Sequence, residues 1–301
     1  MVDLSFDWQV RLAAFAWLRE RTASSDQVLC REHLVEGFHF QGQRVPLLSP
    51  QGIFKPAILD LPLSIVTTPG SPYSDRFDGD FLTYSYRGTD PSHPDNVGLR
   101  RLMELRRPLV YFLGVVRGRY LAVWPTYVVA DSPRDLVFTV AADDVSHLLT
   151  QPEQWQMEEG AVDRRRYVTA SFRQRLHQSG FREQVLKAYR ERCSMCRLRH
   201  RELLDAAHIV PDSDPFGEPV ISNGLALCKL HHAAFDKHFL GIRPDYVVEL
   251  RGDVLEEADG PMLRHGLQGL QGQVIWVPRR PELRPDPDRL EIRFNEFRRS
   301  A

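Results

Sequence analysis

The sequence predicts an α+β fold in two domains, a β-rich N-terminal domain with flanking helices and a C-terminal domain built around a cluster of cysteines and histidines. Three observations predict this arrangement. Short apolar runs separated by glycine and proline follow the first helical stretch, apolar residues recur at helical spacing on both sides of that region, and cysteines and histidines cluster in the C-terminal third. The chain has 301 residues, which is enough for two such domains.

The domain boundary is predicted in the polar stretch 151–165, so that residues 1–155 form the first domain and residues 156–301 the second. Helices are predicted over 3–22 and 171–192, and Asn96 is expected to cap a helix that runs to about Arg107. Strands are predicted at 44–48, 63–67, 81–86, 109–116, 119–129 and 137–140. Many short strands with few helices favour a compact β-barrel-like N-terminal domain.

The bulk composition argues against a membrane protein and against a disulfide framework. Hydrophobic residues make up 43% of the chain and charged residues 26%, and no apolar run approaches the length of a membrane span. Asp3 and Asp7 interrupt any signal-peptide layout, so the protein is expected to be cytoplasmic. Three of the four cysteines surround one candidate site, and a cytosolic chain keeps its thiols reduced, which favours metal ligation over disulfides.

Two ligand pairs about thirty residues apart predict a structural zinc site. Cys193 and Cys196 are separated by two residues, and so are Cys228 and His231. Each pair can hold one edge of a tetrahedron, and together they supply the three cysteines and one histidine of a closed zinc knuckle. Two such pairs make a chance occurrence improbable.

The residues between and beside these pairs resemble the HNH nuclease family. Leu204-Asp-Ala-Ala-His208-Ile-Val-Pro211 is followed by Ser222-Asn223-Gly-Leu-Ala-Leu-Cys228 and by His231-His232-Ala-Ala-Phe-Asp236, over about residues 190–240. The resemblance implies a zinc-containing ββα-metal fold that hydrolyses phosphodiester bonds. It implies that His208 is the general base and that Asn223 orients the loop and the base. It also implies that His232 binds a catalytic Mg²⁺ or Mn²⁺ ion.

One position departs from the HNH pattern. Many members carry an acidic or histidine metal ligand directly before the base, where this chain has Ala207. Asp205 is the nearest carboxylate and becomes the candidate second metal ligand beside His232. Asp236 stands one helical turn after His232, where it can serve the same ion or orient that histidine.

A second resemblance covers about residues 45–130. Tyr73 with Asp75, followed by Tyr86-Arg87-Gly88, is similar to the SRA domain, the PUA-like β-barrel that flips 5-methylcytosine out of duplex DNA. The resemblance implies a modified-base pocket of Tyr73, Asp75 and Tyr86, with Tyr84 and Asp78 as alternatives for the ring and the carboxylate. A flipped base is held between aromatic faces, and a carboxylate can accept from the cytosine amino group.

An SRA-like domain followed by an HNH domain is the layout of modification-dependent, type IV-like restriction endonucleases. The expected partner is therefore double-stranded DNA that carries 5-methylcytosine or 5-hydroxymethylcytosine. Although the formal net charge is −1, basic residues dominate from 164 to 201. Contacts to the DNA backbone are expected from Arg164, Arg165 and Arg166.

Two other functions stay open at this stage. An HNH nuclease could carry an N-terminal module for unmodified sequence or another modification. The chain could also be a DNA-binding module with an inactive HNH fold, although the joint presence of His208, Asn223 and His232 argues against it. A single HNH site cuts one strand, so a homodimer is a further possibility.

Overall fold

The computed structural model describes residues 5–23, 28–68, 76–78, 81–143, 161–258 and 260–300. Packing divides the chain into two compact units, Met1–Ser179 and Gly180–Ala301. The boundary predicted from the sequence, between residues 155 and 156, lies outside the described residues and stays a prediction. Among the described residues, no helix is both long enough and apolar enough to cross a membrane.

The first unit combines a curled sheet with helices, as the α+β prediction requires. Its elements are α1 (Phe6–Arg21), β1 (Val28–Cys30), α2 (Arg31–Glu36), β2 (Phe38–Phe40), β3 (Gln43–Val45), β4 (Ile53–Phe54), β5 (Ser64–Thr67), β6 (Arg76–Asp78), β7 (Phe81–Ser85), α3 (Pro94–Glu104), β8 (Leu109–Val116), β9 (Arg119–Ser132) and β10 (Val137–Ala142). A long helix, α4 (Ala161–Ala188), begins in this unit and ends in the second.

The main sheet has the strand order β4-β5-β8-β9-β10-β7-β6, and β1 pairs with β9. The pairing of β5 with β8 is parallel, and the other pairings in this sheet are antiparallel. Closure into an SRA-like barrel is not established by these pairings and stays a prediction. The small hairpin β2–β3 lies apart from this sheet.

Strand β8 explains why this part of the sequence is so continuously apolar. Successive side chains of a strand point to opposite faces. Val110 and Phe112 therefore belong to one buried cluster, which α1 also joins. Leu109 and Tyr111 belong to another, which Leu99 of α3 also joins. Because helices and loops cover both faces of the sheet, the strand lacks the polar alternation of a half-exposed strand.

The prediction that Asn96 caps α3 is wrong. The helix begins at Pro94, and the side chain of His93 accepts the capping hydrogen bond from the Asp95 amide. Asn96 is fully buried inside the helix, where its amide accepts from the Arg87 nitrogen at 2.9 Å and donates to the Arg87 and Asp90 carbonyls. A buried amide needs partners for its donors and its acceptor, and the turn after β7 supplies them.

The second unit is built on a strand–strand–helix core. Its elements are β11 (Leu204–His208), β12 (Gly224–Cys228), α5 (Lys229–Asp236), β13 (Leu240–Ile242), β14 (Val248–Leu250), α6 (Gly252–Glu256), α7 (Pro261–Gly266) and α8 (Pro287–Ser300). Strands β11 and β12 pair antiparallel, with Leu204 opposite Cys228 and His208 opposite Gly224. The residues of the HNH resemblance therefore lie on one hairpin and the helix that follows it.

Candidate active site and metal centre

His208 is the last residue of β11, and its imidazole stacks on the ring of Phe181 from α4, with centroids 4.0 Å apart. Gly224 makes this approach possible, because a Cβ there would come within 2.4 Å of Val185 and 2.9 Å of Phe181. Of the two ring nitrogens, only Nε2 is both buried and without a hydrogen-bond partner. This leaves Nδ1 as the nitrogen that can meet a water molecule.

Burial lowers the pKa of His208 below its ordinary value of 6.5, against the opposing attraction of Asp212. The imidazole is therefore mostly neutral at neutral pH. A neutral imidazole can accept a proton, which is what a general base must do.

This shift predicts the acid limb of the pH–rate profile. Because cleavage needs neutral His208, the rate should fall only as the pH drops below 6.5 and approaches the lowered pKa. Measuring single-turnover cleavage against pH at saturating metal tests this. Phe181→Ala exposes the imidazole to water and should move the limb up towards 6.5. A wild-type midpoint above 6.5 would contradict the prediction.

Asn223 closes the loop between the two strands. Its amide oxygen accepts from the Val210 nitrogen at 2.9 Å, and its amide nitrogen donates to the carbonyls of Val210 and Glu218, both at 3.0 Å. The residue is completely buried, and all of these bonds go to the backbone. The amide does not contact the imidazole of His208, so any effect on the base passes through the loop.

His232 lies on α5 between two carboxylates. Its Nδ1 is 3.4 Å from Asp205 Oδ2, and its Nε2 is 3.2 Å from Asp236 Oδ2. Hydrogen bonding to Asp205, and then to Asp236, raises the pKa of His232 to about 9. The same contact with His232, together with Lys229 at 2.5 Å, holds the pKa of Asp205 well below its usual range. Without a metal, the site is therefore a network of ion pairs.

This geometry limits how a divalent ion can bind. The two nitrogens of His232 face different carboxylates, so a single ion can use one nitrogen together with Asp205 or with Asp236, but not with both. A carboxylate donor suits Mg²⁺ or Mn²⁺, whereas an imidazole nitrogen is a softer donor that transition metals accept more readily than Mg²⁺ does. Asp205 lies on β11, the same strand that ends in His208. This position favours Asp205 as the metal ligand and Asp236 as the group that orients the ring of His232.

The cysteine–histidine cluster fits a zinc ion. Ligand atoms of Cys193, Cys196, Cys228 and His231 all lie within 4.8 Å of one another. His231 Nδ1 is 3.3 Å from the sulfur of Cys193 and 3.2 Å from that of Cys228, and the Cys196 and Cys228 sulfurs are 3.9 Å apart. Tetrahedral bonds of about 2.3 Å to sulfur imply sulfur–sulfur edges of about 3.8 Å.

The second nitrogen of His231 supports the same assignment. Nε2 lies 2.8 Å from the carbonyl oxygen of Gly266 on α7, so it can donate there while Nδ1 faces the sulfurs. A backbone acceptor on the far nitrogen is the usual way in which a metal-ligating histidine is fixed. The cluster could therefore hold a structural zinc. It is the one group of three or more such ligands in the described part of the chain.

In the first unit, Tyr84 and Tyr86 line a cavity of about 370 Å³. Polar, aromatic and cationic residues share its wall, namely Arg31, Ser49, Gln51, Thr68, Ser85, Arg87 and Tyr120. Tyr86 stacks on Phe138 at 4.5 Å, and its hydroxyl bonds to Asp131 and Arg100. Tyr84 donates to the Gly52 carbonyl at 2.9 Å. Tyr73 and Asp75, and the side chain of Asp78, lie outside the described residues.

Only one of the three arginines expected at the DNA backbone has a described side chain. Arg165 donates to the buried carboxylate of Asp143 at 2.8 Å and lies over the ring of Tyr127. Its guanidinium is therefore already engaged within the first unit. The side chains of Arg164 and Arg166 lie outside the described residues, and the phosphate contacts of all three stay predictions.

Three groups beside the candidate active site are not evident from the sequence pattern. Phe181 stacks on His208, Lys229 pairs with Asp205, and Arg182 donates to the Leu204 carbonyl at 2.8 Å at the start of β11. Phe181 falls within the helix predicted over 171–192, and helical spacing carries no information about which ring it contacts. Lys229 directly follows Cys228, a candidate zinc ligand, and this position is the one sequence signal that places the lysine near this site.

Comparison with known proteins identifies part of the chain. Residues 193–243 match the family described as HNH endonuclease. The chain is similar to a solved "Modification dependent TagI restriction endonuclease" at 19% identity and a TM-score of 0.29, over 78% of this chain and 81% of that one. It is also similar to the "Type IV phosphorothioation-dependent restriction endonuclease ScoMcrA" at 15% identity and a TM-score of 0.20, over 57% of this chain and 45% of that one.

At these TM-scores neither likeness bears on the fold or the function, and no curated protein matches the chain in sequence. The HNH match covers the hairpin, the helix and the cysteine–histidine cluster. The C-terminal unit therefore contains an HNH endonuclease domain, and the protein is a nuclease.

Proposed function

We propose that this nuclease is a modification-dependent DNA endonuclease that cuts DNA carrying 5-methylcytosine or 5-hydroxymethylcytosine. The observation that carries the nuclease part is the hairpin–helix unit, which holds His208, the loop closed by Asn223, and His232 within one small core. Residues 1–155 would select the site, and residues 156–301 would cut it.

Each residue of the candidate active site has its own role in the proposed hydrolysis. His208, neutral at working pH, accepts a proton from the attacking water through Nδ1. Asn223 fixes the loop that follows the base, and Phe181 fixes the plane of the imidazole. Asp205 and His232 would hold a Mg²⁺ or Mn²⁺ ion, with Asp236 orienting His232. Such an ion, when bound, stabilises the negative charge that develops on the phosphate.

The cavity in the first unit supports recognition of an extruded base. Its volume of about 370 Å³ lies within the roughly 300–1,000 Å³ range of small-molecule sites. Aromatic and polar groups together form its wall, as a site for a flipped base requires. Tyr84 or Tyr86 would contact the base, Tyr73 and Asp75 would complete the pocket, and Arg164, Arg165 and Arg166 would contact phosphates.

The second candidate function keeps the nuclease and changes the recognition. No carboxylate lines the described part of the cavity, whereas a cytosine amino group needs an acceptor. If neither Asp75 nor Asp78 supplies this acceptor, the domain would recognise unmodified sequence or another modification. Cutting both strands would need two HNH sites, which a homodimer provides.

One cleavage experiment separates these functions. The full chain is incubated with matched duplexes that carry cytosine, 5-methylcytosine, 5-hydroxymethylcytosine or N6-methyladenine, in Mg²⁺ or Mn²⁺. We expect cutting of the two modified-cytosine duplexes only. Equal cutting of all four duplexes would leave the nuclease and remove the modification dependence.

Variants of the cavity test where recognition occurs. Tyr86→Ala should weaken binding to methylated duplex by about 1–3 kcal/mol, the usual contribution of a base-stacking ring, and should leave binding to unmethylated duplex nearly unchanged. Because Tyr86 is buried, Thr68→Trp serves as a second variant that obstructs the cavity without removing a core ring. Tyr167→Ala, at a tyrosine that is 76% exposed, is the control. If both cavity variants lose affinity for both duplexes alike, base recognition is elsewhere.

A further inference from the structure

A segment of the second unit that lies outside the HNH match carries a pair of adjacent arginines. Residues 276–286 read Trp-Val-Pro-Arg-Arg-Pro-Glu-Leu-Arg-Pro-Asp, with prolines at 278, 281 and 285. Each proline fixes one backbone dihedral and removes conformational freedom from the unfolded chain. A segment with three prolines in eleven residues is therefore restrained before it makes any tertiary contact.

Hydrogen bonds fix this segment to the nuclease core. The backbone nitrogen of Trp276 donates to the Ser194 carbonyl at 2.8 Å, and Ser194 lies between the candidate zinc ligands Cys193 and Cys196. The Asp286 nitrogen donates to the Ser222 carbonyl at 2.9 Å, and Ser222 directly precedes Asn223. The Tyr246 hydroxyl donates to the Pro285 carbonyl at 3.1 Å. Both ends of the segment are thus bound to the loops that carry the candidate active site and metal centre.

Within the segment, one arginine makes hydrogen bonds to the backbone, and the side chains of two others are free to bind a ligand. Arg284 donates through Nε to the Pro278 carbonyl at 3.1 Å and through Nη2 to the Arg279 carbonyl at 3.2 Å, which closes the turn. The side chains of Arg279 and Arg280 are exposed, and neither has a hydrogen bond or ion pair with any part of the chain that the structure describes. By contrast, Arg201, Arg243 and Arg251 are all paired with carboxylates.

We propose that Arg279 and Arg280 bind the phosphate backbone of the DNA beside the scissile bond. The proposal rests on the proposed function in that the substrate is duplex DNA. A guanidinium is suited to phosphate oxygens because it offers paired donors and is always charged. Since Arg284 and the prolines hold the backbone in place, little ordering of the main chain is needed on binding. The backbone directly after the pair, residues Pro281–Leu283, lies against Ile221–Asn223, and the Asp286–Ser222 bond holds the end of the segment on the same loop.

The test is the salt dependence of DNA binding by the full chain, with its zinc retained and no Mg²⁺ or Mn²⁺ added. Each phosphate contact contributes about 0.9 to the slope of log affinity against log salt, so Arg279→Ala with Arg280→Ala should lower the magnitude of the slope by about 1.8. Affinity should fall by the same factor for modified and unmodified duplexes, because phosphates carry no information about the base.

Two comparisons make the result specific. Arg279→Lys with Arg280→Lys keeps the charge and should preserve most of the slope. Arg298→Ala with Arg299→Ala removes another exposed adjacent pair, at the end of α8, and should leave the slope unchanged. An unchanged slope in the Arg279/Arg280 double-alanine variant, with normal thermal unfolding, would overturn the proposal. A wild-type protein that binds modified and unmodified duplexes equally would overturn modification recognition and leave the arginine pair in place.

Discussion

His208→Ala should abolish cleavage while the chain stays folded and still binds DNA. The substitution removes the imidazole that we propose as the proton acceptor, and general-base catalysis contributes about 10²–10⁴-fold to rates of this kind. The imidazole is half-buried against Phe181, and its Nε2 makes no hydrogen bond, so truncation breaks no polar network. Its effect on stability should therefore be small compared with its effect on the rate.

Single-turnover cleavage of the preferred duplex measures the effect, and zinc content together with DNA affinity shows that the fold is intact. His265→Ala is the matched control, because His265 is an exposed histidine of the same unit on α7. We expect wild-type rates from the control. Near-normal cleavage by a folded His208→Ala protein would remove His208 from the mechanism.

Cys193→Ser should unfold the second unit. Cys193 is completely buried, its sulfur is 3.3 Å from His231 Nδ1, and it belongs to the hydrophobic core of this unit. Zinc binding contributes about 10–16 kcal/mol in small zinc domains, which matches or exceeds the roughly 5–15 kcal/mol net stability of a typical domain. Losing one thiolate ligand should therefore cost most of the folding free energy of this unit.

Elemental analysis of the wild-type protein should find about one zinc per chain, as a closed four-ligand site implies. Circular dichroism and proteolysis then report the folding of each variant. Cys30→Ser is the control, since Cys30 lies in β1 of the first unit and is not a member of the cluster. A wild-type protein that is fully folded without zinc would contradict the assignment.

Candidate active-site residues could be named from the sequence because the chemistry of an HNH site imposes their spacing. The pattern consists of the C-x-x-C and C-x-x-H pairs, the histidine before the loop and the histidine on the next helix. Each of these parts is local in sequence, so it can be recognised without knowing how distant segments pack. The bounds of β8 were also predictable, because an uninterrupted apolar run ended by a glycine turn has few other structures available.

What could not be predicted depends on packing between distant segments. Asn96 has the residue type of a cap, yet three backbone partners near β7 stabilise it inside the helix instead. The stacking of Phe181 on His208 depends on how closely α4 approaches Gly224. Strand order and closure of the sheet depend on pairings between residues far apart in sequence, which residue periodicity does not encode.

The short helix α5 carries consequences for when the enzyme can act. Its eight residues begin directly after Cys228, and His231 and His232 are neighbours on it, pointing about 100° apart. A zinc ion held by Cys228 and His231 would fix the rotation of the helix, and that rotation orients His232 towards Asp205. A newly synthesised chain would then have no aligned cutting site until it has taken up zinc. A nuclease with this arrangement would therefore not cut the DNA of the cell that makes it before the metal is bound.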